Sequence, residues 1–556
     1  MERVFFDITI IILAASVLSI AFRLFKQPQI LAYITAGILL GPLGLFTLKS
    51  TDSLHMLAQV GVTLVLFMLG LELKIKDLKS IGVVAILAGV IQIIATFLGG
   101  LFIAILLGFS YVSSLYIAIA LTFSSTIIIV KILSDKRDLA SLSSKISIGI
   151  LLIQDFFAVI ALIVLSAFSQ NKGVLTPFDF VWVGIKGAWF GIWLYIVSKT
   201  VLPFLIRISS KSTEMLFLFS LAWVFSIAAL ISMPFLGFSI EIGGFLAGLA
   251  LASYSEHFQI SARVRPLRDF FITIFFVLLG VESTFKHIDT ILIPVLVFSG
   301  IVLVGKPFLV MQTLAAFGYK KRTSFLTGIN LAQISEFSLI LVFLGTKLGH
   351  IGSEVSSILT LVAIITFAFS TTLIIKSKKV YKSFEKYIYV FDGTKRKEEI
   401  ELEGELDDHV VIIGGHQMGQ SVLDALEDGE KVVVVDFDPD IVKKLKAKGI
   451  NFVFGDIEDI DIQEQIKLDK AKMVISTIPD LEDNLELIRR LNHENKKAKI
   501  VVMAYETNEA EALYKAGADY VVLPHLAGGR YIAKLIKENH LGHLERFKVK
   551  DLAFLR

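Results

Sequence analysis

Up to residue 376 the chain is a succession of apolar runs about 20 residues long, joined by short charged connections. From His409 onward the apolar residues instead come four or five at a time, separated by segments of helix length. The first pattern predicts membrane-spanning helices, and the second predicts short buried strands alternating with helices in a doubly wound parallel sheet. Spans are expected near 4–22, 28–46, 54–72, 81–107, 113–133, 146–168, 180–202, 213–232, 238–254, 269–284, 291–316, 324–346 and 353–375, thirteen in all. The run from Val4 to Phe22 is too long for a signal-peptide core and reads as a retained span. Lys and Arg concentrate in the odd-numbered connections, among them Lys74, Lys136, Arg263 and Arg322, while the even-numbered ones hold Lys49, Lys172, Lys286 and Lys347. By the positive-inside rule the chain is a multi-pass cell-membrane protein, with its N-terminus expected outside and its charged C-terminal part in the cytoplasm.

Within these runs a few polar groups stand out. The sixth span, LLIQDFFAVI, carries Gln154 and Asp155 near its middle. A carboxylate at that depth costs about 2.5–3.5 kcal/mol even on insertion scales, so Asp155 is a candidate site for an ion or a proton. The fifth span contains Thr122, Ser124, Ser125 and Thr126 in LTFSSTIIIV, and the twelfth contains Asn330, Gln333, Ser335 and Glu336 in NLAQISEF. Transporter helices break at such clusters, leaving half-helix ends that attract opposite charges. Lys306 of the eleventh span is the evident basic group. Lys306 and Glu336 either neutralise those ends or take part in the ion site. The placement of the two clusters suits an inverted repeat in which the fourth to sixth spans match the eleventh to thirteenth. Glu214, Glu241 and Lys186 sit closer to span ends and read as structural, and Gly243, Gly244, Ala247 and Gly248 read as a packing surface.

Composition narrows the class. The 556 residues are 55% hydrophobic with no cysteine and a net charge of +3, and the mean hydropathy is +0.73. This excludes an ordinary soluble enzyme, disulfides and thiolate ligands. No basic run interleaved with aromatics speaks for nucleic acid, and no tightly bound transition metal is expected.

Three domains are expected: membrane residues 1–376, a basic juxtamembrane segment and charged linker over 377–408, and a Rossmann-like domain over 409–556. The strands are HVVIIG, KVVVVD, NFVFGD, KMVIST, KIVVMA and DYVVLP. The first turn reads Gly414-Gly415-His416-Gln417-Met418-Gly419, and the second strand ends in Asp436, a dinucleotide fingerprint with His416 in place of its second glycine. These residues, with Asp456 after the third strand, are the candidate nucleotide site. His416 hinders close approach of a pyrophosphate, which leaves open a ligand with fewer phosphates or a sheet acting purely in assembly or gating. No constellation of catalytic acid, base and nucleophile is present, and the chain is not read as an enzyme.

AYITAGILLGPLGL, AQVGVTLVLFMLGLEL, the FSST cluster, LLIQDFFAVI, FFVLLG and LAQISEF, in this order, resemble the Kef-type potassium efflux proteins within the second family of monovalent cation:proton antiporters. The C-terminal part resembles the nucleotide-binding domains that regulate potassium conductance (RCK domains). The resemblance implies a polytopic α-helical exchanger with two discontinuous crossing helices and a C-terminal α/β domain. It implies Asp155 as the ion and proton site, surrounded by Gln154 and the hydroxyls of Thr122, Ser124, Ser125 and Thr126, with Lys306 as basic partner. It further implies elevator-like alternating access in a homodimer, with an adenine nucleotide (AMP, ATP or NAD(H)) as regulator. The basic SARVRPLRDF stands where glutathione-gated members have an acidic loop, so glutathione gating is not carried over.

The resulting expectation is exchange of potassium or sodium for protons, with both competing for Asp155. Gln154, where sodium-selective electrogenic relatives often carry a second carboxylate, tilts this toward potassium and one-for-one exchange. A ligand-gated potassium channel is the first rival, and it lacks a threonine-valine-glycine-tyrosine-glycine type filter. The second rival, a membrane-anchored redox enzyme, leaves the many spans with buried polar groups unexplained.

Overall fold

The structure is a computed structural model that describes all residues except 1, 45, 47–49, 73–82, 137, 140, 168–176, 284–287, 385–386, 389–399, 402–405, 427–429, 437–438, 456, 458–459, 479, 538–547 and 549–556. The chain forms two compact units, Met1–Gly393 and Thr394–Arg556.

The first unit is entirely helical. Its elements are α1 (Glu2–Leu24), α2 (Gln29–Leu40), α3 (Thr51–Glu72), α4 (Val83–Leu106), α5 (Tyr111–Thr122), α6 (Thr126–Asp135), α7 (Leu142–Ala167), α8 (Pro177–Thr200), α9 (Leu202–Ser209), α10 (Thr213–Ile231), α11 (Ile240–Leu251) and α12 (His257–Val281). They continue with α13 (Ile288–Gly300), a π-helical turn over Ile301–Gly305, α14 (Lys306–Ala316), α15 (Lys321–Asn330), α16 (Glu336–Lys347), α17 (Ser353–Ile375) and α18 (Ser377–Phe384). Among the described residues eight helices are long and apolar enough to span a bilayer, and the pair α8–α9, bent by 48°, makes a ninth. Each of the thirteen expected spans falls on a helix or on a broken pair of helices. The fifth breaks at 123–125, between α5 and α6, and the twelfth at 331–335, between α15 and α16. The tenth starts twelve residues earlier than the apolar run suggests, so Arg263, Arg265 and Arg268 lie on α12 and not in a loop.

The helices pack in two groups. One comprises α1–α3 and α10–α12, and the other α4–α7 and α13–α17. In the first group glycines bring backbones into contact: a Cβ on Gly280 would strike the Ile34 carbonyl, one on Gly37 the Val277 carbonyl, and one on Gly248 the Phe67 carbonyl. Such close approach is how membrane helices gain packing energy without a hydrophobic drive between them. The Gly243–Gly248 stretch is accordingly a packing surface. The second group is joined at its centre by polar side chains.

The boundary after the last span differs from the expected one. Helix α18 belongs to the membrane unit: Lys136 Nζ donates to Ile374 O and Ser377 Oγ at 3.1 Å each, and the rings of Phe325 and Tyr381 lie 5.6 Å apart. Part of the expected linker joins the other unit, where Ile400–Glu401 forms strand β1.

The second unit is a seven-stranded sheet, with β2 (His409–Ile413), β3 (Val432–Asp436), β4 (Phe452–Phe454), β5 (Ala471–Ser476), β6 (Lys499–Met503) and β7 (Tyr520–Val522) in the order β1-β4-β3-β2-β5-β6-β7. All six expected strands form and run parallel, and β1 adds an antiparallel edge against β4. The near-continuous Val and Ile of β2 and β3 are buried because both faces are covered, as parallel sheets require. The strand order reverses between β2 and β5, which puts the Gly414 turn at the topological switch point.

Candidate functional site

The centre of the membrane unit is built from the two helix breaks. At a break, carbonyls that end one half-helix and amides that start the next lose their intrahelical partners and must be satisfied otherwise. Helix α5 ends at Thr122 and α15 at Asn330, and the carbonyls that follow, Phe123 O and Gln333 O, both accept hydrogen bonds of 3.0 Å from Lys306 Nζ. The third bond from Nζ goes to Ser124 Oγ at 3.1 Å, and Ser124 Oγ donates in turn to Leu331 O at 3.0 Å. Lys306 is fully buried. It follows directly on the π-helical turn, a local widening that often marks functional positions. Three acceptors match the three N–H groups of an ammonium.

Lys306 therefore staples the negative ends of the two first half-helices together. The expected basic partner of Asp155 makes no ion pair with it among the described residues. Three neutral oxygens satisfy Nζ first, which is the physical reason for the difference.

The second half-helices begin symmetrically. Ser125 caps α6, its Oγ accepting from Ile128 N at 3.3 Å, and Ser335 caps α16, its Oγ accepting from Phe337 N at 3.1 Å. Asp155, 4% exposed on α7, accepts at Oδ2 from Thr126 Oγ1, the first residue of α6, at 2.9 Å. Of the predicted hydroxyl cluster only Thr126 reaches Asp155. Thr122 bonds back to Ala118 O at 2.8 Å, and Ser124 and Ser125 hold the breaks. Gln154 Oε1 accepts from the freed Ser124 amide at 2.7 Å, and its Nε2 donates to Gln92 Oε1 at 2.5 Å. Gln333 donates to Ser125 O at 3.3 Å and accepts from Ser370 Oγ at 2.6 Å. Both amides thus fix the unwound segments. Glu336, 3% exposed, opens α16 in the position that Thr126 holds in α6. Asn330 donates to Ser147 Oγ at 3.0 Å.

Sequence reasoning missed Gln92 and Glu72. Gln92 donates to Thr96 Oγ1 and to Thr122 O at 3.0 and 3.1 Å, continuing the polar chain from Gln154. A lone amide inside the apolar run of α4 was the available signal. Glu72, the last residue of α3, acts electrostatically on Asp155 from the other helix group.

In the second unit, Gly414 has φ +90°, and a Cβ on Gly419 would strike the Gly414 carbonyl, so the first and third fingerprint glycines meet the demands of a tight turn and close helix packing. His416, exposed, precedes the short helix α19 (Gln417–Leu423), which carries Met418 and Gly419. Asp436 is buried, and its Oδ2 accepts from Gly415 N at 2.6 Å, so this carboxylate shapes the glycine turn. Thr477 Oγ1 donates to Ile413 O and Gly414 O at 3.0 Å each, closing the other side of the switch point. Asp456 lies outside the described residues.

Two crossed broken helices around a buried carboxylate, followed by a parallel α/β unit, define a membrane antiporter with a C-terminal nucleotide-binding fold. The family model described as sodium/hydrogen exchanger, transmembrane, matches residues 10–376, and the TrkA-N domain model matches 410–524. The chain belongs to the sodium/hydrogen exchanger family. It is 26% identical over 554 residues to the glutathione-regulated potassium-efflux system protein KefC of Cronobacter sakazakii, covering 97% of this chain and 86% of that one. It is 31% identical over 352 residues to K(+) efflux antiporter 5 of Arabidopsis thaliana, covering 61% of this chain and 60% of that one. Among solved structures, the sodium proton antiporter MjNhaP1 of Methanocaldococcus jannaschii aligns with a TM-score of 0.49 at 15% identity, over 71% of this chain and 99% of that one.

Proposed function

We propose that this protein exchanges potassium for protons across a cell membrane, releasing potassium from the cell, with Asp155 binding the cation and a proton in turn. One observation carries this reading: Asp155 is buried at the crossing of two broken helices and bonded by a single hydroxyl, while the nearby Lys306 is fully engaged by neutral oxygens. A buried carboxylate left this free must take up a cation or a proton. The names of the potassium-efflux relatives support potassium over sodium.

The two helix groups support elevator-like alternating access, with α4–α7 and α13–α17 moving against the glycine-packed group. The charge pattern of the connections supports an outer N-terminus and a cytoplasmic TrkA-N unit, and the assembly is proposed to be a homodimer. The nucleotide-binding fold supports regulation without catalytic turnover by an adenine nucleotide at Gly414–Gly419. The Asp436–Gly415 bond leaves the glycine turn pre-shaped for such a ligand.

The test is proton flux in proteoliposomes under an imposed pH gradient with potassium, sodium or choline, at clamped membrane potential. Potassium-dependent dissipation that vanishes in Asp155→Asn is expected. A response to sodium alone would reassign the cation, and potassium flux without proton movement would replace exchange by a channel.

A further inference from the structure

Glu336 takes no part in the bonds that hold the helix breaks. Both of its carboxylate oxygens are buried and lack a hydrogen bond of good geometry, with its own amide and the Ser125 side chain as the polar groups beside them. It stands at the crossing, two residues before Ser338, whose hydroxyl donates to Ala120 O at 2.6 Å. Its position in the second repeat is that of Thr126 in the first, the residue that holds Asp155. Its charge acts on Asp155, the Ser125 side chain lies beside it, and Arg268 of α12 acts on it from the other helix group.

An ordinary end-neutralising glutamate would be tied down by amides of its own helix. Here the Ser335 amide donates to Ser338 Oγ at 3.3 Å and the Phe337 amide to Ser335 Oγ at 3.1 Å, which leaves Glu336 no more than its own amide and the Ser125 side chain. A carboxylate in this setting carries a charge only if an ion or a proton nearby compensates it.

We propose that Glu336 is a second carboxylate of the exchange site, which together with Asp155 and Lys306 leaves the site one positive charge short. The inference rests on the exchange reading above and specifies its charge count. Lys306, with three acceptors around Nζ, contributes one positive charge, and Asp155 and Glu336 contribute two negative ones. One potassium ion or one proton on the carboxylate pair brings the sum to zero, so the two compete one for one. Loading the cation displaces that proton to the solvent on the same side. Besides these three, Glu72 of α3 and Arg268 of α12 are the charged groups acting on the pair, and both belong to the group against which the site is proposed to move.

The test uses the full chain in proteoliposomes across a pH series, with wild type, Asp155→Asn, Glu336→Gln and Glu336→Asp, and proton release from the purified wild type on adding potassium. Glu336→Gln leaves Lys306 and Asp155 balanced without a cation, so exchange should weaken, and what remains should have its pH midpoint about one unit lower, the effect of deleting a neighbouring like charge. Its potassium half-saturation should rise about tenfold, which is the same one-unit change. Glu336→Asp, which keeps the charge, should retain the wild-type pH midpoint. Purified wild type should release one proton per potassium bound, a reading that needs no variant to fold. A Glu336→Gln protein with wild-type midpoint and half-saturation overturns the proposal, as does release of two protons or none. Exchange that survives in Asp155→Asn would instead remove the underlying reading of the site.

Discussion

Replacing Lys306 by Met separates a structural lysine from a titrating one. The substitution keeps most of the side-chain volume and removes three hydrogen bonds, to Phe123 O, Ser124 Oγ and Gln333 O. Hydrogen bonds within membrane proteins average about 0.6 kcal/mol, whereas charge-assisted ones run to about 1.5–3 kcal/mol. Ser124 can still donate to Leu331 O, but the two carbonyls are orphaned at the breaks. The expected loss is roughly 2–6 kcal/mol, at the upper end if no water enters. Reduced resistance to heat or denaturant in detergent should report it, beside Asp155→Asn as a variant of the same site that leaves the staple intact. In proteoliposomes, whatever fraction of Lys306→Met remains folded should show the membrane-potential dependence of the wild type. A lysine that released its proton in each cycle would predict the opposite: a change from potential-dependent to potential-independent exchange with stability intact. That result would refute the staple.

Other expectations follow from the same geometry. Gly280→Ala should separate α12 from α2 and cost about 1–3 kcal/mol or more through overpacking, read as loss of folded protein on heating, because its Cβ meets the Ile34 carbonyl. Thr126→Val should leave the fold intact and change the potassium half-saturation of exchange, since it removes the one hydroxyl bonded to Asp155. Asp436→Ala should orphan the buried Gly415 amide at a cost of about 1–3 kcal/mol, while Asp436→Asn, which can still accept that bond, should keep the stabilisation by AMP, ATP or NADH that the proposed regulation predicts, read in a thermal-shift assay. His409 is buried with Nδ1 unpartnered and Nε2 bonded to Ile466 O at 2.8 Å, and burial holds its pKa below the usual 6.5. Its unfolded pKa is the higher one, so its contribution to stability is present above about pH 6.5 and is lost as the pH falls. The protection of the β2 amides in the full chain, measured against the intrinsic exchange rate at each pH, should therefore fall in acid, and less so in His409→Gln.

The features legible in the sequence were those with a period or a cost. Spans and strands announce themselves because apolar runs of fixed length rarely arise in any other kind of structure, and Asp155 stands out because charge in such a run is expensive. The breaks were legible for a related reason: Ser, Thr and Asn crowd where backbone groups need new partners. What stayed hidden is how each polar group spends its bonds. Nothing in the string GKPFLV tells that Lys306 reaches two carbonyls on two other helices, 183 and 27 residues away in the chain. Nor does it tell that Gln154 is used up on Ser124 and Gln92 before it can serve an ion. The strand at Ile400–Glu401 was hidden because a two-residue edge has no period to detect.

The two helix groups hold together by opposite means, and that difference bears on motion. Backbone-to-backbone packing at Gly37, Gly248 and Gly280 tolerates no rearrangement without a clash, so α2, α3, α11 and α12 form a body that can act as a fixed wall. The group carrying Asp155 is tied at its centre by a connected set of bonds through Lys306, Ser124, Gln333 and Ser370, so in the proposed alternating access its two breaks go together. Across the divide the contacts are of a weaker kind: Lys347 Nζ lies 3.9 Å from Glu241 Oε1, and the rings of Phe275 and Phe343 meet edge to face at 5.3 Å. Contacts of this kind can be exchanged for similar ones after a slide, whereas the bonds inside each group cannot. Cutting the Lys347–Glu241 contact with Lys347→Gln should therefore change the rate of exchange and leave its dependence on Asp155 untouched. An unchanged rate would show that this contact does not resist the movement.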